Sequence, residues 1–460
     1  MDRKTLIFII ITIILLGVAG YLYIYKKTSA PTTTKTGTTF PSGSQPITGG
    51  YAGGGDTPVS EAPTFTPGAG ATLPRLYELH KLPVAGVGFV ETSKTTGPLS
   101  VRYIERGLGH IFETQLSNFV ESRMVNETRS SIMEALWGNS GKSVVIRFID
   151  EKGGTPTIKT SILNLGGSSS VTNGTPTTNF IKTEEIFLPN HISFMSVSED
   201  NSDKLFYLEN NAGTSVGATS NFKNIGNSTI FSSVFTEWLP QFPNQQLITL
   251  TTKPSATVPG HFFFIDQKTK AVSKIIGGVK GLTTLTNRTG KFVLFAGIEN
   301  NVPELSVYDV SKKTARPLLL QTLPEKCAWG VKNTTLVYCA IPQALPNADY
   351  PDQWYQGLVT FADSIWEIDT TNGLSRKIMS PTNLGAPDLD IINPVLSSDE
   401  KYLLFMNKVS GTPWVYRIVE TTPTSPTTIN TQATTDTSVS NTSGKTTITP
   451  PPTEGLTKIN

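Results

Sequence analysis

Charge is scarce in this chain of 460 residues: Lys, Arg, Asp and Glu make up 16% of it, and 38 basic against 36 acidic side chains leave a formal net charge of +2. So even a balance provides no basic footprint for a phosphate backbone, and no nucleic-acid partner is expected. Histidine is scarcer, with four copies, His80, His110, His191 and His261. They are far apart and fall into no metal-ligand spacing, so neither a metal nor another cofactor is expected. Cysteine occurs twice, as Cys327 and Cys339. What is plentiful is Thr, Ser, Gly and Pro, a balance that suits a β-rich body joined to uncharged linkers.

Long apolar runs are equally rare, and the one present stands at the start. Leu6 to Tyr25 is nearly unbroken, and a helix of about 20 residues matches a hydrocarbon core of roughly 30 Å. Arg3 and Lys4 precede it, Lys26 and Lys27 follow it, and Tyr21, Tyr23 and Tyr25 stand where an interfacial aromatic belt would lie. Val18-Ala19-Gly20 is faintly site-like, but the run exceeds the apolar region of about 7–15 residues usual in a cleaved leader. Residues 1–27 are therefore expected to form an uncleaved single-pass anchor with the bulk of the chain on the extracytoplasmic side. Residues 28–73 and 421–460 lack apolar periodicity and read as disordered linker and tail. The folded body is expected over 74–420.

Within that body a phrase recurs: an apolar or aromatic residue, a few polar turn residues, usually a lysine, then a run of β-formers. It reads Trp137-Gly-Asn-Ser-Gly-Lys142 before SVVIRF, Leu285-Thr-Asn-Arg-Thr-Gly-Lys291 before FVLF, and Leu396-Ser-Ser-Asp-Glu-Lys401 before YLLF. Repetition at about 40–50 residues with four short strands per unit is the mark of a β-propeller. Seven units can be written, and the last stops one strand short. Residues 75–82, Arg-Leu-Tyr-Glu-Leu-His-Lys-Leu, look like the outer strands of later units. The expected fold is all-β, a seven-bladed propeller in which this N-terminal strand completes the final blade beside Trp414–Ile418 and leaves no open edge.

Ser397-Ser-Asp-Glu-Lys401 with Tyr402-Leu-Leu-Phe405, and Ile365-Trp-Glu-Ile-Asp369-Thr-Thr-Asn-Gly373, resemble the repeats of TolB-like and WD-type propellers. Those blades carry S-P-D-G-K before apolar β residues and a later I-Y-x-x-D-x-x-x-G. The Pro of the turn phrase is absent here, and several blades also lack its Asp or Gly. The resemblance implies the fold and leaves function open.

Several groupings have the residue types that chemistry would need. Gly213-Thr-Ser215-Val-Gly217 matches a nucleophile elbow, but strand and turn residues follow it instead of a helix, so Ser215 reads as part of a third strand. Asp388, Asp390, Asp399 and Glu400 are the densest acidic group, and all four read as turn or solvated-loop residues. Cys327 and Cys339 lie symmetrically about Asn333 on the first two strands of blade six, facing one another either as a disulfide or as two buried thiols. Residues 342–363 form an insertion far longer than a hairpin loop of about 2–5 residues. Its Asp349, Tyr350, Asp352, Trp354 and Tyr355 are the candidate binding residues, with a loop folded back over the ring as the competing reading.

The expected function is that of a membrane-anchored extracytoplasmic module, recognising or scaffolding an envelope protein, polymer or glycan without catalysis. Two alternatives stand beside it. One is a propeller-type lyase or glycan hydrolase with its site in the channel; the inner strands, being mostly neutral, argue against that. The other is a fixed component of a secretion, pilus or surface assembly.

Overall fold

The recurring polar phrases are the tight turns that launch the second strand of each blade. At 397–401 the Ser397 hydroxyl donates to Asp399 at 2.6 Å and accepts the Tyr402 amide at 3.0 Å, and the Lys401 amide reaches Asp399 at 3.1 Å. The residue before the lysine is left-handed in all three phrases: Gly141 at φ 77°, Gly290 at 69° and Glu400 at 61°. Glycine adopts that conformation without a Cβ penalty, whereas Glu400 does so against its preference, held by the bonds around it.

The computed structural model describes residues 73–91, 99–151, 154–169, 180–200 and 202–418. They belong to one compact unit. The expected anchor at 1–27, the linker ahead of residue 73 and the tail from 421 lie outside them. Among the described residues no helix is long and apolar enough to cross a membrane.

Seven antiparallel four-stranded sheets make up the fold. Their inner strands are Val84–Val90, Ile132–Gly138, Ile192–Val197, Trp238–Asn244, Thr283–Thr286, Cys327–Trp329 and Ile391–Leu396. Second strands such as Leu205–Asn211 and Tyr402–Asn407 are buried on both faces over most of their length, because a neighbouring blade covers each face. That is why they read as continuous apolar runs instead of alternating. Outer strands such as Val272–Lys280 are largely exposed.

The hydrophobic interior is divided among the seven seams between neighbouring blades. At the seam of blades one and two, Ile104 and Ile111 meet Ala135, Trp137, Val144 and Ile146. At the seam of blades seven and one, Val84, Val101 and Tyr103 meet Leu404, Met406 and Val415. The inner strands of blades one and two run so close that a Cβ on Gly86 would lie 1.9 Å from the Ala135 carbonyl oxygen, and one on Gly88 would lie 2.5 Å from Trp137 Cβ.

The ring closes as the sequence implies, though through a shorter strand. Leu76–Glu78 pairs antiparallel with Pro413–Arg417, placing Leu76 opposite Tyr416 and Glu78 opposite Trp414. Beyond the strand, the Leu79 amide reaches the Pro413 carbonyl at 2.9 Å, while Leu82 is exposed. Arg75 donates to the Tyr416 hydroxyl at 2.7 Å, and Arg417 donates to the Leu73 carbonyl at 3.1 Å.

Strand direction gives the ring two distinct ends. Inner and third strands run toward the end that carries the polar phrases, the turn end. Second and outer strands run back toward the other, which carries the insertion of blade six. Since Leu76–Glu78 is an outer strand and Pro413–Arg417 a third strand, Leu73 and Ile418 both leave the ring at the turn end.

Candidate functional site

At the insertion end, residues 342–363 bend back over the starts of the inner strands. Tyr350 and Trp354 are buried with Leu323, Ala348 and Phe361 in a cluster of their own, and Trp354 stacks on Phe361 at 5.9 Å. A single helical turn, Asp352–Tyr355, carries Trp354 inward. Its indole N–H donates to Asp390 at 3.0 Å, and the Asp352 carboxylate accepts the Ala256 amide of blade four at 2.6 Å. Of the five candidate residues, Asp349 and Tyr355 are exposed and Asp352 is partly so. Tyr355 donates to Glu325.

Beneath the insertion lies an ionic cluster that the sequence did not disclose. Lys326 is fully buried, with its ammonium 2.6 Å from Asp390 and 2.7 Å from Asp363. It also donates to the Ile391 carbonyl at 2.8 Å. Burial pushes the Asp363 carboxyl up to about 6, against the opposing pull of Lys326. The expectation that Asp390 sits in a solvated loop is therefore corrected: it is buried because one carboxylate serves Lys326, the Trp354 indole and the Phe361 amide together. Asp399 does behave as a turn residue.

The turn end holds a cavity of about 230 Å³ between the ends of the inner strands. Phe89, Trp137 and Trp329 supply aromatic wall, Val197, Leu285 and Leu396 supply aliphatic wall, and Glu91, Glu199 and Arg288 supply charge. Glu199 and Arg288 occupy the second position of the polar turn in blades three and five. Ser198 donates to Asp200 at 2.6 Å just as Ser397 donates to Asp399, which fixes that equivalence. In the TolB-like phrase this position is Pro; here it points charged side chains at the channel axis.

The electrostatics of this cavity are unusual. Burial drives the Glu199 carboxyl up to about 7; Arg288 opposes the rise and Asp200 adds to it. Asp200 itself is held below the ordinary carboxylate range, its burial outweighed by hydrogen bonds from Ser198, Ser202 and Gln245. Among the described residues, neither the Glu199 carboxylate nor the Arg288 guanidinium has a hydrogen-bond partner, and the two meet no opposite charge within 4 Å. An arginine and a carboxyl left open in a partly apolar cavity are the features that mark a binding or reacting site.

The remaining sequence candidates are settled by position. Ser215 is fully buried near the start of the third strand Thr214–Ser220, opposite Asn210 and Ser233, with no elbow around it. Cys327 and Cys339 stand directly opposite in register and are joined as a disulfide, with Cα atoms 4.0 Å apart. His80 meets Glu121 at 2.7 Å and His110 meets Glu105 at 3.4 Å, while His191 and His261 sit in other blades. Among the described residues no three His, Cys, Asp or Glu side chains are grouped so as to hold a metal ion.

No family model matches the chain, and neither does any curated protein. Solved structures do. An oligogalacturonate lyase from Vibrio parahaemolyticus is 8% identical with a TM-score of 0.46, covering 76% of this chain and 99% of its own. TolB from Acinetobacter baumannii is 10% identical with a TM-score of 0.38, covering 72% and 79%. The Pan2 WD40 domain of Neurospora crassa is 10% identical with a TM-score of 0.45, covering 76% and 98%. The resemblance to TolB-like and WD-type propellers thus holds at the level of fold.

The expectation of a chain without catalysis is corrected. A lyase stands among the similar structures, so the likeness gives no support to an absence of catalysis. The argument from neutral inner strands also fails physically. The ionisable groups that line the cavity among the described residues, Glu91, Glu199 and Arg288, all stand beyond the ends of those strands.

Proposed function

We propose that this chain displays its propeller outside the cell membrane on an N-terminal anchor and uses the turn-end cavity to bind a segment of an envelope polymer or glycan. The observation that carries the reading is the pairing of aromatic wall with two functional groups, Glu199 and Arg288, whose side chains have no hydrogen-bond partner among the described residues, in one cavity fed by several blades. Aromatic faces give broad contact with ring-shaped ligands, and a few placed polar groups orient them. The disulfide across Cys327 and Cys339 is in keeping with an oxidising compartment. The exit of Leu73 and Ile418 at the same end as the cavity would place the site on the side to which linker and tail attach.

A second reading, catalysis on the bound segment, is favoured by Glu199. A carboxyl at about 7 can give up or accept a proton near neutrality, as a general acid or base must. The test incubates the solubilised full chain with soluble envelope polysaccharide fragments and follows both retention and length. Retention by the wild type that is lost in Glu199→Ala with Arg288→Ala supports the site, and new reducing ends that vanish with Glu199→Gln support catalysis. Equal retention by wild type and double variant removes the cavity from consideration.

A further inference from the structure

The Arg288 guanidinium carries five N–H donors in a rigid fork, and none of them is engaged by a described residue. Its position in the cavity wall, partly withdrawn from water, calls for an acceptor that matches the fork, and a carboxylate does so with two parallel bonds. That ligand, however, would enter a cavity already holding Glu91 and Glu199. Blades two, six and seven contribute only uncharged lining, and blade four supplies the Phe242 carbonyl that accepts the Glu199 amide. Asp200, beside Glu199, is committed to Ser198, Ser202 and Gln245. Arg288 is thus the cation that offsets the Glu199 carboxylate, and a bound anion would compete for it.

Resting on the reading of the turn-end cavity as a ligand site, we propose that its ligand is a carboxylate-bearing unit held by Arg288, and that Glu199 takes up one proton from solvent as the ligand binds. The ligand carboxylate arrives ionised and stays so; the proton goes to the Glu199 carboxylate, which then no longer competes for the arginine. Neutralising the weaker-held of two carboxylates that share one cation is the favoured outcome in a partly desolvated site. The sign follows from linkage. The bound state holds Glu199 protonated to higher pH than the free state, so affinity is full below the free-state value of about 7 and falls as pH rises beyond it. The fall approaches about tenfold per pH unit where uptake is complete.

Glucuronate and glucose, equal in ring and differing in the carboxylate, are the probes. Calorimetric titration of the full chain at pH 6, 7 and 8, in two buffers of different ionisation enthalpy, reads affinity and proton uptake together. Glucuronate is expected to bind more tightly than glucose, to weaken by up to about tenfold between pH 7 and pH 8, and to show a buffer-dependent heat that reports proton uptake. Arg288→Gln should abolish the preference for glucuronate. Glu199→Gln should keep the preference while removing both the pH dependence and the buffer dependence, and a single cooperative thermal transition certifies that each variant is folded. Glucose bound as tightly as glucuronate overturns the carboxylate inference and leaves the cavity as a ligand site. Glucuronate bound at pH 8 without proton uptake overturns the coupling. Binding of neither sugar, together with fragments retained equally by the double variant, overturns the site and the inference together.

Discussion

Replacing Glu199 by glutamine should make the protein more stable at pH 8, although it removes a residue from the proposed site. Burial raises the carboxyl from an ordinary 4.5 to about 7. A folded-state value above the unfolded one means that the native protein holds this proton more tightly. Below about pH 4.5 both states are protonated and the group costs nothing. Above about pH 7 the native state carries a partly desolvated carboxylate, and the penalty is complete. Two and a half units at about 1.4 kcal/mol per unit give roughly 3–4 kcal/mol, and solvent in the cavity brings this to about 2–3 kcal/mol. For a body of this size that corresponds to an unfolding midpoint higher by about 3–4 °C. The assay is thermal or urea unfolding of wild type and Glu199→Gln from pH 4 to pH 8. The gap should open as pH rises through the range between the two values and stay constant beyond it. A variant no more stable than wild type at pH 8, or a gap that persists unchanged at pH 4, refutes the account of this carboxyl. The stored penalty is what a functional group held ready for a ligand looks like thermodynamically.

Three further outcomes follow from the insertion end and the sixth blade. Lys326→Met should cost about 3–5 kcal/mol in chemical denaturation, because it leaves Asp363 and Asp390 buried without their cation; adding Asp363→Asn and Asp390→Asn should recover much of the loss. Trp354→Ala should cost about 3–5 kcal/mol and open residues 343–362 to limited proteolysis, since the indole both fills the cluster under the insertion and donates to Asp390. Cys327→Ala with Cys339→Ala should lower stability by about 2–3 kcal/mol, from the closed segment of 12 residues, read as a lower urea midpoint.

The sequence by itself determined the architecture, because a propeller blade is specified locally. The turn phrase at 397–401 satisfies its own backbone through Ser397 and Asp399, and runs such as LFYL are apolar throughout because each second strand is covered on both faces. Even the closure was legible, since residues 75–82 repeat the pattern of an outer strand that the seventh unit lacks. The facing of Cys327 and Cys339 followed from hairpin symmetry, while their oxidation did not. Only the tertiary structure decided what the charges do. Lys326, Asp363 and Asp390 are separated by 64 residues at the extremes and carry no local mark of belonging together; they meet because two blades and an insertion converge. Glu199 and Arg288 look like ordinary solvated turn residues in sequence. The one trace they leave is the shared second position of the repeat turn, and its meaning depends on the ring that aims that position at a common axis. Local hydrogen bonding and burial pattern set the strands, whereas the field at a site is a sum over groups brought together from distant parts of the chain.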